Sequence, residues 1–160
     1  NNFLINTMSS FEGKNYEILF VTGKQDYEEI QKKNFPSNVK VVPYIENMTR
    51  IMKKTDLMVS RAGASTLSEI IALHIPSILI PSPYVPNNHQ YKNAMDLIDS
   101  NAAILLEEKE LHGTILVDTI DKIIDDHQQL IIMKENLRKL DIPNSATKIV
   151  ASIQDLIDRK

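Results

Sequence analysis

Two stretches carry residues whose types and spacing suit ligand chemistry. The first is Ser60-Arg61-Ala62-Gly63-Ala64-Ser65-Thr66-Leu67-Ser68-Glu69, and the second is Pro81-Ser82-Pro83-Tyr84-Val85-Pro86-Asn87-Asn88-His89-Gln90-Tyr91-Lys92-Asn93-Ala94. In the first, the small residues Ala62, Gly63 and Ala64 follow the apolar run Leu57-Met58-Val59, the pattern of a core strand leading into a helix. Glycine lets the backbone come close to a bound group, and the unpaired N–H groups of a helix start attract anions, so a phosphate fits there. Thr66 and Glu69 also have the spacing of a capping box, which would give the carboxylate a purely structural task.

In the second stretch three prolines within six residues fix φ along a loop, and Asn87 or Asn88 is placed to cap the helix that follows. His89, Gln90 and Asn93 then fall in the first turns of that helix on neighbouring ridges. They are donors and acceptors without fixed charge, suited to sugar hydroxyls. For any one of them a solvated helix end is the plain alternative. The three together beside a proline-ruled loop favour a site.

Together the two stretches resemble the donor-binding half of the MurG-type N-acetylglucosaminyltransferases, GT-B enzymes of glycosyltransferase family 28 that act in bacterial peptidoglycan synthesis. The resemblance implies a UDP-N-acetylglucosamine donor and an undecaprenyl-pyrophosphoryl-linked muramoyl-pentapeptide acceptor, with lipid I converted to lipid II. It implies that Glu69 binds the ribose hydroxyls, that Thr66 and the backbone of Gly63, Ala64 and Ser65 lie near the diphosphate with Arg61 beside them, and that Gln90 and Asn93 contact the sugar. Tyr44 and Ile45 would meet the uracil. His89 stands where some members carry glutamine. The resemblance further implies an N-terminal acceptor domain and a glycine-rich phosphate loop that this chain lacks, no cofactor, and peripheral attachment through the missing half to the cytoplasmic face of the membrane.

The elements that must position these residues alternate. Strands are expected at Tyr16–Thr22, Val39–Val42, Leu57–Ser60, Ile78–Ile80 and Ala102–Leu106, with helices at 2–10, Asp26–Lys33, Glu46–Lys54, Ala64–Leu73 and Asn88–Ser100. Such alternation predicts an α/β, Rossmann-like parallel sheet flanked by helices, whose ligands bind beyond the carboxyl ends of the strands. From Glu108 onward strands stop, and three amphipathic helices are expected over Leu111–Asp125, Gln128–Leu140 and Ser145–Lys160. The whole reads as one donor-binding domain over 1–160, the C-terminal half of a GT-B enzyme with a helical C-terminal segment.

Composition narrows the alternatives. The 160 residues hold 42% hydrophobic and 24% charged positions, ordinary globular usage for one domain. A net charge of -3 with scattered lysine pairs argues against nucleic acid. There is no cysteine, which excludes disulfides and thiolate metal sites. Asp125-Asp126-His127 sits at a helix junction without a partner carboxylate, and no Asp-x-Asp triplet occurs, so no metal is expected. The apolar region Ile70–Val85 is broken by His74, Pro76, Pro81 and Pro83, too short for a membrane span. The opening Asn1-Asn2-Phe3-Leu4 suggests a start inside a larger protein. Alternatives are a stand-alone donor-binding subunit of a two-chain glycosyltransferase, another UDP-sugar enzyme of the same fold, and, ranked far lower, a receiver-like module, disfavoured because Ser60 holds the place of its acidic residue.

Overall fold

The computed structural model describes residues 2–158. Helix α1 (Asn2–Thr7) runs into a 3-10 turn at Met8–Phe11, and five strands follow: β1 (Ile18–Val21), β2 (Val39–Val42), β3 (Met58–Ser60), β4 (Ser77–Leu79) and β5 (Ala103–Leu105). Between them lie α2 (Lys24–Ile30), α3 (Met48–Met52), α4 (Ala64–Leu73) and α5 (His89–Asp99), and after them α6 (Ile115–Asp125), α7 (His127–Leu140) and α8 (Ser145–Asp158). Every strand pairing is parallel. The β-α alternation read from the sequence is therefore the architecture.

The expected single sheet is, however, two. β1 pairs with β2 in register Ile18 to Val39, while β3, β4 and β5 form a separate sheet with β4 in the middle. Among the described residues β1 and β3 each have one strand neighbour and so keep an open edge.

Period-two alternation along β4 joins the two cores. Ile78 and Ile80 pack with Met8, Phe11, Phe20 and the α6 residues Leu116 and Ile120, whereas Leu79 packs with Leu67, Ile70, Ala94 and Leu97 of α4 and α5. Helix α7 closes both, giving Met133 to the first cluster and Leu137 to the second. Helix α8 joins neither. All its described residues are exposed, including Ile149, Val150, Ile153, Leu156 and Ile157.

Several expected boundaries shift, β1 and α3 being shorter than expected, and two helix starts move for local reasons. α2 starts at Lys24 rather than Asp26 because Gly23, at φ 83°, turns the chain directly into the helix, and it stops at Ile30. The helix expected from Leu111 starts at Ile115, because Gly113 at φ 53° breaks the chain after a 3-10 turn at Glu108–Glu110.

Polar anchoring outside the cores centres on Asp121 of α6, which accepts from Lys14 Nζ (2.6 Å) and Tyr16 Oη (2.8 Å) and so fixes the approach to β1. Burial, followed by the bond to Asp121, pushes the Tyr16 phenol well above its usual range. Burial alone would raise the Asp121 carboxyl, but the bonds from Lys14 and Tyr16 outweigh it and hold the carboxyl below its usual value. A depressed folded-state value stabilises the fold above the unfolded pKa and loses that effect as pH falls through the folded one. Asp121→Asn is thus expected to lose about 1 kcal/mol at neutral pH. Urea unfolding as a function of pH should show the gap to the parent closing below about pH 4.

Candidate functional site

The small residues after β3 start α4 as the spacing requires. Gly63 is the N-cap, in extended conformation (φ -72°, ψ 142°), and Leu67 N–H to Gly63 C=O (2.9 Å) is the first bond into the helix. The N–H groups of Ala64, Ser65 and Thr66 therefore point forward with no intrahelical acceptor. Thr66 lies in the first turn rather than at the cap, so the capping box with Glu69 does not form. The Glu69 side chain is exposed and has no hydrogen-bond or ion-pair partner among the described residues. A capping box does occur elsewhere, at Glu107 and Glu110. Its acidic cap made it hard to recognise.

The second stretch folds against the first. Asn93 of α5 donates through Nδ2 to the Ala62 carbonyl (3.4 Å), tying α5 to the turn ahead of α4. Gln90 Oε1 accepts from the Ser82 N–H (2.9 Å) and braces the proline loop. Each amide thus spends one end internally and keeps the other, Gln90 Nε2 and Asn93 Oδ1, for further bonds. His89 is exposed, its Nδ1 3.0 Å from the Pro86 carbonyl. Asn87 and Asn88 do not cap α5 with their side chains as expected. Both take left-handed backbone conformations, at φ 55° and 51°, which asparagine tolerates and which bring the loop into the helix.

Arg61 has a use that sequence reading missed. Its NH1 lies 3.2 Å from the Ile80 carbonyl, 3.3 Å from that of Pro81 and 2.7 Å from Glu108 Oε2. One nitrogen with two hydrogens shares them among three acceptors, and the carboxylate takes the shortest bond. The guanidinium thereby clasps the ends of β3 and β4 to the turn after β5. Glu108 stands 47 residues beyond Arg61, so no local spacing signals the pair. Beside it, the Ser60 hydroxyl is buried without a partner among the described residues.

Tyr44 and Ile45 follow β2. Tyr44 is 60% exposed, with Lys24 Nζ 5.3 Å from its ring centroid, a cation–π contact. No hydrogen bond or ring contact joins this pair to the α4–α5 group among the described residues. A groove of about 580 Å³ between α4 and α5 reaches Ala64 and Asn93 but is not lined by Glu69 or Gln90. What the structure brings together is thus the α4 start, Asn93, Gln90 and the proline loop. Among the described residues no group of three His, Cys, Asp or Glu side chains is placed to hold a metal ion, and Asp126 caps α7 by accepting from Gln129 N–H (2.9 Å).

Residues 1–155 match the model of the glycosyltransferase family 28 C-terminal domain. The chain belongs to this family. It is 44% identical over 99% of its length to UDP-N-acetylglucosamine--N-acetylmuramyl-(pentapeptide) pyrophosphoryl-undecaprenol N-acetylglucosamine transferase 1 of Bacillus cereus, and 42% identical over 98% to the enzyme of that name from Halalkalibacterium halodurans. It spans 45% and 44% of those relatives. The crystal structure of Acinetobacter baumannii MurG superposes with a TM-score of 0.81 at 25% identity, covering 96% of this chain and 46% of that one. The glycosyltransferase VinC, at 16% identity and a TM-score of 0.80 over 98% of this chain and 38% of its own, shares the family 28 domain's fold.

Because the Arg61 guanidinium is half exposed, its clasp contributes modestly. Replacement of Arg61 by Met, which keeps the apolar stem, is expected to cost about 1 kcal/mol in chemical denaturation. Hydrogen exchange should quicken at the Ser82 and Tyr84 amides and stay unchanged in α6.

Proposed function

We propose that this chain is the donor-binding half of an inverting glycosyltransferase that moves N-acetylglucosamine from UDP-N-acetylglucosamine to a muramoyl-pentapeptide carried on undecaprenyl pyrophosphate. The observation that carries the reading is the start of α4: three free N–H groups directly after a strand, with the Glu69 carboxylate on the same helix and an amide of α5 bonded to the turn that precedes it. The N-acetylglucosamine transferases that this chain resembles supply the sugar and the acceptor.

In this reading the diphosphate sits at the α4 start, held by the N–H groups after Gly63 and by the Thr66 hydroxyl. Glu69 accepts from the ribose hydroxyls. Gln90 Nε2 and Asn93 Oδ1 meet the N-acetylglucosamine, with His89 at the edge, and Tyr44 and Ile45 flank the uracil. Arg61 positions the loops rather than touching the donor. As the acceptor hydroxyl attacks the anomeric carbon from the opposite face, the sugar–phosphate bond breaks and negative charge gathers on the departing UDP. The α4 N–H groups and helix dipole are oriented in advance to receive that charge.

The acceptor domain, the general base, the glycine-rich phosphate loop and the surface that meets the cytoplasmic face of the membrane belong to the remainder of the enzyme. The exposed apolar side of α8 suits contact with such a half, which also accommodates the two-chain arrangement in which the half is a separate polypeptide. No helix among the described residues is long and apolar enough to cross a membrane.

Glu69→Ala is expected to weaken UDP binding by about 1.5–3 kcal/mol in titration calorimetry while leaving the melting temperature in place, since no capping box is lost. Unchanged affinity would remove Glu69 from the site. Gln90→Ala should cost more affinity for UDP-N-acetylglucosamine than for UDP, and equal losses would take Gln90 out of the sugar pocket. Alone, the chain is expected to bind the sugar nucleotide weakly, to prefer it over UDP-glucose, and to show no turnover of lipid acceptor. Measurable transfer would refute the division of labour.

A further inference from the structure

At the opposite end of the strands, before β3 begins, a cleft of about 280 Å³ opens where α3 and α4 end against α7. Four cations line it: Lys53 and Lys54 after α3, and Lys134 and Arg138 one turn apart on α7. None of the four side chains has a hydrogen-bond or ion-pair partner among the described residues. Like charges at i and i+4 repel, and so do neighbouring lysines, so this gathering costs stability in a chain whose net charge is -3.

The ordinary reason for cations here is the negative end of a helix, and it can be weighed. Two helix C-termini supply about half a charge each. The Asp56 carboxylate on the rim adds one more. Together they offset about two of the four cations. Of the other carboxylates, Asp141 is turned toward His74 Nε2 (3.2 Å) at the cleft wall, where the His74 backbone is left-handed (φ 53°), and Glu135, three residues before Arg138 on α7, is exposed and makes no ion pair among the described residues. With a partial offset from Glu135, an excess of about one to two positive charges is left around a cavity with room for a small anion.

We propose that this rear cleft binds a phosphate-bearing anion, remote from the donor site, with Lys134 and Arg138 as its principal contacts and Lys53 and Lys54 completing the shell. Arg138 contributes planar paired donors and the lysines point charges, the combination that phosphate oxygens accept. The ligand is either a free phosphate or pyrophosphate or the headgroup of an anionic lipid. Both present the same chemistry.

The test titrates the chain with inorganic pyrophosphate in the presence of excess UDP, so that the donor site is occupied, and follows backbone amide shifts. The expected result is movement of the amides from Lys53 to Asp56 and at His74 and Ile75, weakened about tenfold in Lys134→Ala/Arg138→Ala and reduced by added salt. Flotation with phosphatidylglycerol vesicles, against phosphatidylcholine alone, separates the sources: vesicle binding that the double variant abolishes, without a pyrophosphate response, assigns the headgroup. Absence of both responses overturns the proposal, as does binding that the double variant and Lys53→Gln/Lys54→Gln leave intact. All four side chains are at least partly exposed, and circular dichroism checks that the variants remain folded.

Discussion

The burial of β4 is the constraint on which the rest of the molecule depends. Ser77, Ile78 and Leu79 are wholly inaccessible, and alternate side chains enter opposite cores, so the strand cannot slip by one residue without exchanging the two. Both of its backbone edges are occupied, by β3 and β5. Three loops therefore leave the same rim at fixed separations: the turn into α4, the proline loop and the turn after β5. Arg61 then ties the three at their tips. The polar residues inherit their placement from a buried, largely apolar strand, whose continuation at Ile80 accepts from Arg61.

That arrangement explains how the same side chains can be structural and available. A carboxamide offers a donor and an acceptor end, and in Gln90 and Asn93 opposite ends are used to hold the loops: oxygen in the first, nitrogen in the second. One end fixes the geometry of the other. The exposed Glu69 has no such tether, and only its place on α4, whose inner face buries Leu67 and Ile70, directs it.

Much of this was legible beforehand. The bounds of α4 follow from Gly63 and from apolar residues at 67, 70 and 71, and β4 from an unbroken apolar run. The fold class follows from alternation alone. The proposed site residues were legible as residue types beside strand ends, since the carboxyl rim of a parallel sheet is where such sheets bind ligands. What escaped was non-local or conformational. The partner of Arg61 is distant in sequence, and the left-handed turn at Asn87 and Asn88 replaces a side-chain cap with a backbone solution. The split between β1 and β3 also escaped, because pattern reading detects strands but not which of them pair.

Helix α8 stands apart from this economy. Its apolar stripe enters neither core, so the interior has no share in keeping those fourteen residues helical. A lone helix of that length is marginal in water. With no share in either core, its coil–helix balance is free to shift without the sheet unfolding.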